Sequence, residues 1–317
     1  MNAKHVLSKC LSLVTPLMHK TLRTSLFAAI ESSMNGGPLS ITGLGRNITN
    51  KAKEKHKIKR VDRLCSNANL HREIECVYTR MTHLLVGKMK QPIIHIDWSD
   101  LDDRKQHFLI RASLAARGRS LTLYEEIHPL NKKEKPKTHL LFLTQLKAML
   151  PNDCKPIIVT DAGFRIPWFK PILSLNWDYV GRFRNRTHCK KCLVDDWYPV
   201  KQLYVQASAR AKSLGVYLLG EKVSFKSRLV IFKRNAKGRK DKVATGDKAR
   251  RSKQSRASAE REKEPWLLAT SLCNSSATAK RVVKIYATRM QIEESFRDVK
   301  TGLKMNESGS RIMHKLS

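Results

Sequence analysis

The sequence predicts a mixed α/β fold preceded by a small all-helical region. Three observations predict it. Residues 1 to about 85 read as helical, with short apolar-periodic segments and tight turns. Two short apolar runs, 92–97 and 155–161, each close on an aspartate and suit buried strands. Around them, hairpin strands are followed by strands that helix-length segments connect, the pattern of a sheet with helices on its faces.

The elements follow in order. Residues 22–33 form an apolar-periodic run stopped by Asn35-Gly36-Gly37-Pro38. Ser40 is placed to cap a second short helix. Residues 51–60 carry six Lys/Arg against one Glu, and 61–65 continue them as helix. Short helices, tight turns and a basic run are the layout of a helix-turn-helix-like DNA reader; a bundle with a solvated basic face has the same composition. Strands are expected at 92–97, 107–114 and 119–127, the last two joined by a turn at Arg117-Gly118-Arg119. A helix at 138–150, a strand at 155–161, a helix at 165–175 with Pro167 in its first turn, and a strand at 177–184 come next. Residues 185–264 interrupt the pattern with strand-like pieces at 215–219 and 229–234. Within them, 233–264 hold thirteen Lys/Arg and five Asp/Glu, which reads as a basic loop. A strand at 265–271 and one long helix over 277–300 complete the order.

Charge bounds the partners. With 62 Lys and Arg against 27 Asp and Glu, the formal net charge is +35. Cations in such excess neutralise phosphates and release counterions, which points to nucleic acid. Seven cysteines, an odd number and mostly scattered, do not form a secreted disulfide framework. No run of about eighteen apolar residues is present, so no membrane span is expected, and no signal peptide is read at the start. A cytoplasmic, nucleoid-associated location follows as the expectation. The pair Cys189 and Cys192 could supply two zinc ligands, but without a second pair it reads as two reduced thiols.

Asp97 and Asp161 close two buried runs, where carboxylates can share a metal at a sheet edge. Magnesium prefers carboxylate oxygen and binds substrate phosphates, and two ions can clamp the attacking and leaving oxygens of a phosphoryl displacement. Tyr286, Arg289, Glu293 and Lys300 follow the spacing Y-x2-R-x3-E-x6-K. On one continuous helix these four fall within a stripe of about 60°. An acid, two cations and a phenol on one face fit a site, and equally an exposed face with charge pairs.

The segment 286–300 resembles the Y-R-E-K signature of DDE transposases in bacterial insertion sequences, relatives of those of the kanamycin- and tetracycline-resistance composite transposons. Ile96-Asp97-Trp98, the run 159–164, the run 265–271 and the run 58–64 resemble further blocks of that family, so the resemblance covers nearly the whole chain. It implies a ribonuclease H-like catalytic domain over 89–317 with a β-rich and basic-loop insertion at about 185–264, which the 132-residue step from Asp161 to Glu293 accommodates. Residues 1–88 would be the helical DNA-binding domain.

By the same resemblance, Asp97, Asp161 and Glu293 are the catalytic metal ligands, for Mg2+ with Mn2+ as a substitute. Tyr286, Arg289 and Lys300 contact terminal phosphates, and Trp266 stacks on a flipped base or else fills the core. Lys59, Arg60 and Arg63 are the DNA contacts expected of the N-terminal region. The implied activity is cut-and-paste transposition on double-stranded DNA, at terminal inverted repeats and into target DNA, with a homodimer in the synaptic complex of full-length relatives. Members of the family continue further past the signature helix, so a truncated copy is expected. A non-catalytic remnant that binds element ends is the alternative.

Overall fold

The computed structural model describes residues 3–102, 104–184, 187–191, 196–235, 263–273 and 278–305. The helices α1 (Ala3–Val14), α2 (Lys20–Met34), α3 (Ile41–Arg46), α4 (Glu54–Cys65) and α5 (Ala68–Val86) come first. The strands β1 (Ile93–Asp100), β2 (His107–Ala115) and β3 (Ser120–Pro129) follow, then α6 (Pro136–Met149), β4 (Ile157–Thr160), α7 (Ile166–Ser174) and β5 (Asp178–Phe183). The remainder is β6 (His188–Lys191), β7 (Tyr198–Pro199), β8 (Lys212–Leu219), β9 (Phe225–Phe232), β10 (Trp266–Thr270), α8 (Thr278–Ala287) and α9 (Met290–Arg297). The chain divides into two compact units, Met1–Pro156 with Met290–Ser317, and Ile157–Arg289.

In the first unit, local chemistry sets the helix ends. Gly36 takes φ +88° just beyond α2, where a residue without a Cβ is cheapest. The Ser40 hydroxyl accepts the Gly43 N–H at 2.9 Å and caps α3, a contact worth about 1 kcal/mol. Gly45 lets α3 lie against α4, because a Cβ there would fall 2.5 Å from Ile58 Cα. Met18, Leu22, Ala29 and Leu64 form the core of these helices. α5 docks on the strands: the Thr82 hydroxyl donates to the Leu123 carbonyl at 3.1 Å. β2 pairs antiparallel with both β1 and β3, and Gly118 turns the β2–β3 hairpin at φ +81°.

In the second unit, β4 and β5 run parallel, joined through α7. β10 then pairs antiparallel with β5 on one side and β9 on the other. β8, β6 and β7 continue outward from β9, all antiparallel. The strands read at 215–219 and 229–234 are therefore part of the sheet, as longer elements. α7 packs Phe169 over Gly181, where a Cβ would meet the ring at 2.4 Å.

Two expectations are corrected. Asp97 does not end its strand: Trp98, Ser99 and Asp100 stay paired with Ile110, Leu109 and Phe108, so β1 runs three residues further. Asp161 does stand just past the end of β4. The single helix over 277–300 is also broken. Thr288 and Arg289 close a tight turn, their N–H groups donating to the carbonyls of Ile285 at 3.1 Å and Tyr286 at 3.0 Å. The Thr288 hydroxyl donates to the same Ile285 carbonyl at 2.7 Å, a local bond that competes with the helical ladder. After α9 the chain widens into a π-helical turn, Asp298–Gly302. With a tightened turn and a widened one inside it, the segment is not one continuous helix with a 3.6-residue period.

Candidate active site

In the first unit, Asp97 sits opposite Arg111 across the β1–β2 pairing, and Arg111 sits opposite Glu125 across β2–β3. Directly paired residues project to the same face of a sheet, so the three form one row. The Arg111 side chain is 5% exposed, and its Nε donates to Glu125 Oε2 at 2.7 Å. Its Nη1 donates to Ser295 Oγ of α9 at 3.2 Å, and its guanidinium lies 4.8 Å from the Phe296 ring centroid. α9 thus lies over the face that carries Asp97. Ile292 and Phe296 pack there with Leu101 and Leu109.

That packing orients Glu293. Its neighbours on α9 are tied to the hairpin. Gln291 Nε2 donates to the Ala116 carbonyl at 2.9 Å, and its Oε1 accepts the Ala116 N–H at 3.3 Å. Arg119 pairs with Glu294 at 3.0 Å and with Asp298 at 2.9 Å. With Ile292 and Phe296 buried, Glu293 is left on the exposed side of the helix. The Asp97 Oδ1 accepts the Trp98 N–H at 2.8 Å. Lys300, expected to contact DNA, pairs with Asp100 at 2.9 Å. Partial burial acts against the Asp100 carboxylate's charge, but the Lys300 hydrogen bond and charge outweigh it and hold the group below the usual range.

In the second unit, Asp161 Oδ1 accepts the Gly163 N–H at 2.8 Å. This folds the loop after β4 back on the carboxylate and leaves Asp161 half-buried. Tyr286 is buried at 4% exposure. Burial raises its phenol above the usual range, Asp161 raises it further, and Arg289 and Arg182 oppose the rise. The phenol is therefore a neutral hydroxyl in a field set by one acid, Asp161, and three cations, Arg289, Arg182 and Arg184. Trp266 meets the Tyr286 ring edge-on, with centroids 4.9 Å apart, and Arg234 lies 5.8 Å from its centroid. Trp266 is half-buried rather than a core residue.

The N-terminal candidates separate by role. Lys59 and Arg63 are exposed on α4, Lys59 being paired with Asp62 at 3.1 Å. Arg60 points inward, donating to Ser25 Oγ at 3.1 Å and to the Thr24 carbonyl at 2.9 Å, and so ties α4 to α2. Residues 236–262, most of the basic loop, and Cys192 lie outside the described residues. Cys189 is buried, and burial pushes its thiol up to about 11.

Sequence reasoning missed Arg111 and Arg182. Arg111 carried a signal: a lone cation inside the apolar run 107–114 has to find a partner when buried. No signal in the sequence paired it with Glu125 or Ser295. For the metal, the donor chemistry fits, since Asp97, Asp161 and Glu293 offer the hard oxygens that magnesium prefers. Among the described residues, no group of three or more His, Cys, Asp or Glu is gathered so that it could hold a metal ion. No helix among them is long and apolar enough to cross a membrane.

Residues 88–315 match the family described as the transposase DDE domain. No curated protein matches the chain.

Proposed function

The chain belongs to the transposase DDE domain family, and from that premise we propose that it carries out cut-and-paste DNA transposition, cleaving at terminal inverted repeats and transferring the freed strand into target DNA. The observation that carries the proposal is in the first unit, where Asp97 shares a sheet face with the helix that presents Glu293. Asp97, Asp161 and Glu293 would hold divalent ions, Mg2+ or Mn2+ in its place, in a ribonuclease H-like core. Magnesium keeps several waters and takes one or two carboxylates plus substrate phosphates, so DNA itself would complete the coordination. Bound there, the metal supplies an activated water and a Lewis acid for phosphoryl displacement.

The protein's own groups do the remaining work. Arg111 neutralises the interior beside Asp97 and, through Ser295 and Phe296, fixes the helix that bears Glu293. Tyr286, kept neutral, can donate to a phosphate oxygen, and Arg289 adds charge beside it. Trp266 offers a half-open ring for a flipped base, consistent with a hairpin at the element's end. Lys300 can exchange Asp100 for a phosphate. Lys59 and Arg63 would contact the DNA backbone, with helices α1–α5 as the end-binding domain and two protomers in the synaptic complex.

The test is incubation of the chain with its element's terminal inverted repeats and magnesium. End cleavage that disappears in Asp97→Ala and in Glu293→Gln is expected. Equal cleavage by either variant would remove the proposed chemistry. End binding without any cleavage in the wild type would favour the DNA-binding remnant instead.

A further inference from the structure

Two faces of α5 meet different parts of the first unit. Leu70 and Val77 pack on the core that Met18, Leu22, Ala29 and Leu64 form among the preceding helices. Tyr78 and Thr82, one helical turn apart, meet the sheet instead. The Thr82 hydroxyl donates to the Leu123 carbonyl, and the Tyr78 ring stands edge-on to Tyr124 of β3, with centroids 5.4 Å apart. α5 therefore joins the helical region to β3.

Tyr78 also reaches the acid of the buried row. Burial, then the charge of Glu125 and a side-chain hydrogen bond to it, hold the Tyr78 phenol well above its usual range, with Arg111 opposing and Tyr124 adding to the rise. The phenol stays neutral and donates to the carboxylate. Glu125 takes a second donor, Arg111 Nε, at 2.7 Å, and Arg111 Nη1 goes on to Ser295 Oγ at 3.2 Å. Tyr78, Glu125, Arg111 and Ser295 thus form a relay from α5 across β3 and β2 to α9. The terminal torsion of a glutamate is soft, so one donor does not fix the Glu125 carboxylate; a second donor from another element does. The far end of the relay is two residues from Glu293, and the same guanidinium lies against the buried Phe296.

We propose that Tyr78 is a positioning residue for Glu293: through Glu125, Arg111 and Ser295 it sets where α9 lies, and so ties the placement of the glutamate to the helical region on which α5 packs. This rests on reading Glu293 as a residue of the reaction. It gives a residue outside the matched stretch 88–315 a part in the chemistry within it.

The test is hydrogen–deuterium exchange of the full chain in chelator, read on peptides covering Met290–Arg297. Tyr78→Phe deletes one oxygen and keeps the ring against Tyr124. It is expected to speed exchange of the α9 amides about fivefold, the equilibrium equivalent of one net hydrogen bond. Thr82→Val removes a bond between α5 and β3 that lies outside the relay, and should leave α9 exchanging as in the wild type. A role for Tyr78 confined to docking α5 would make the two variants alike, so equal α9 exchange in both overturns the proposal. Should Tyr78→Phe not fold, Glu125→Gln interrupts the relay at its next member and should also speed α9 exchange; α9 unchanged in a folded Glu125→Gln chain overturns the proposal as well. With element ends and magnesium, Tyr78→Phe should cleave about tenfold more slowly, the usual effect of losing a partner behind a ligand, while Thr82→Val cleaves like the wild type. Wild-type cleavage by Tyr78→Phe overturns the assignment to Glu293. Exchange is measured without metal or element ends, so if the wild type cleaves nothing, the transposition reading fails while exchange still decides whether Tyr78 sets α9.

Discussion

Replacing Arg111 by methionine removes the one cation in the Asp97–Arg111–Glu125 row and should destabilise the protein by about 3 kcal/mol. The magnitude comes from three contacts. The 2.7 Å bond to Glu125 joins side chains that are 5% and 28% exposed, and a charge-assisted hydrogen bond is worth about 1.5–3 kcal/mol. The guanidinium 4.8 Å from the Phe296 ring centroid adds about 1 kcal/mol, and the Ser295 bond about as much. Methionine recovers part of the apolar contact, while partial exposure softens the loss at Glu125. Denaturant unfolding of Arg111→Met, Glu125→Gln and the double variant forms a cycle in which the pair should couple by about 1.5 kcal/mol. Single-variant effects that add to within about 0.5 kcal/mol would refute the buried row as an interacting unit. Cleavage should fall in Arg111→Met even at temperatures where it stays folded, because Ser295 and Phe296 flank Glu293.

Other outcomes follow from the same geometry. Gln291→Ala removes the side-chain partner of the Ala116 carbonyl, while the Ala116 N–H keeps its bond to the Arg119 carbonyl at 3.1 Å, and should cost about 0.5–1.5 kcal/mol in denaturant unfolding, whereas Arg119→Ala, losing exposed pairs only, should cost under about 1 kcal/mol and, unlike Gln291→Ala, less in high salt. Gly181→Ala drives a methyl into the Phe169 ring and should cost about 1–3 kcal/mol by the same measurement. In the N-terminal helices, Lys59→Gln with Arg63→Gln should lower the salt slope of DNA binding by about 2, while Arg60→Ala should lower the melting temperature, since its partners are on α2. Burial, helped by the charge of His128, lowers His139 to about 4 from 6.5, and its Nε2 accepts from Trp98 Nε1 at 3.1 Å. The unfolded chain then binds the proton more tightly, so this site's stability is intact above about pH 6.5 and is lost progressively as pH falls to about 4, by on the order of 3 kcal/mol. His139→Gln should flatten that part of a stability-versus-pH curve; an unchanged slope would contradict the assignment.

Much of the fold was legible because its signals are local. Ser40 announced a cap, Gly118 a hairpin turn, and the apolar runs around 94 and 158 two buried strands. The break after Ala287 was not legible: Thr288 and Arg289 are residue types that fit a helix, and the turn they close shows only in the backbone bonds to Ile285 and Tyr286. Asp97 was placed at a strand end because Trp98-Ser99-Asp100 is not an apolar run, yet pairing with β2 carries the strand on. For the candidate site, the acids were legible as residue types at motif spacing. Their cationic surroundings were not, since Arg111 with Ser295, and Arg182 with Tyr286, are brought together only by tertiary folding.

The pairing of β9 with β10 also bears on how the chain can be engineered. The stretch between β5 and β10 looks in sequence like an insert that could be cut out and closed with a short linker. In the fold, β10 has β5 on one side and β9 on the other. Excision would strip the N–H and C=O groups along one whole side of β10, next to Leu267, Leu268 and Ala269, all fully buried. A bare apolar edge of that kind recruits other chains. A minimised version of this protein should therefore keep β8 and β9 and shorten only the connection between β9 and β10, or it will be lost to aggregation before its chemistry can be assayed.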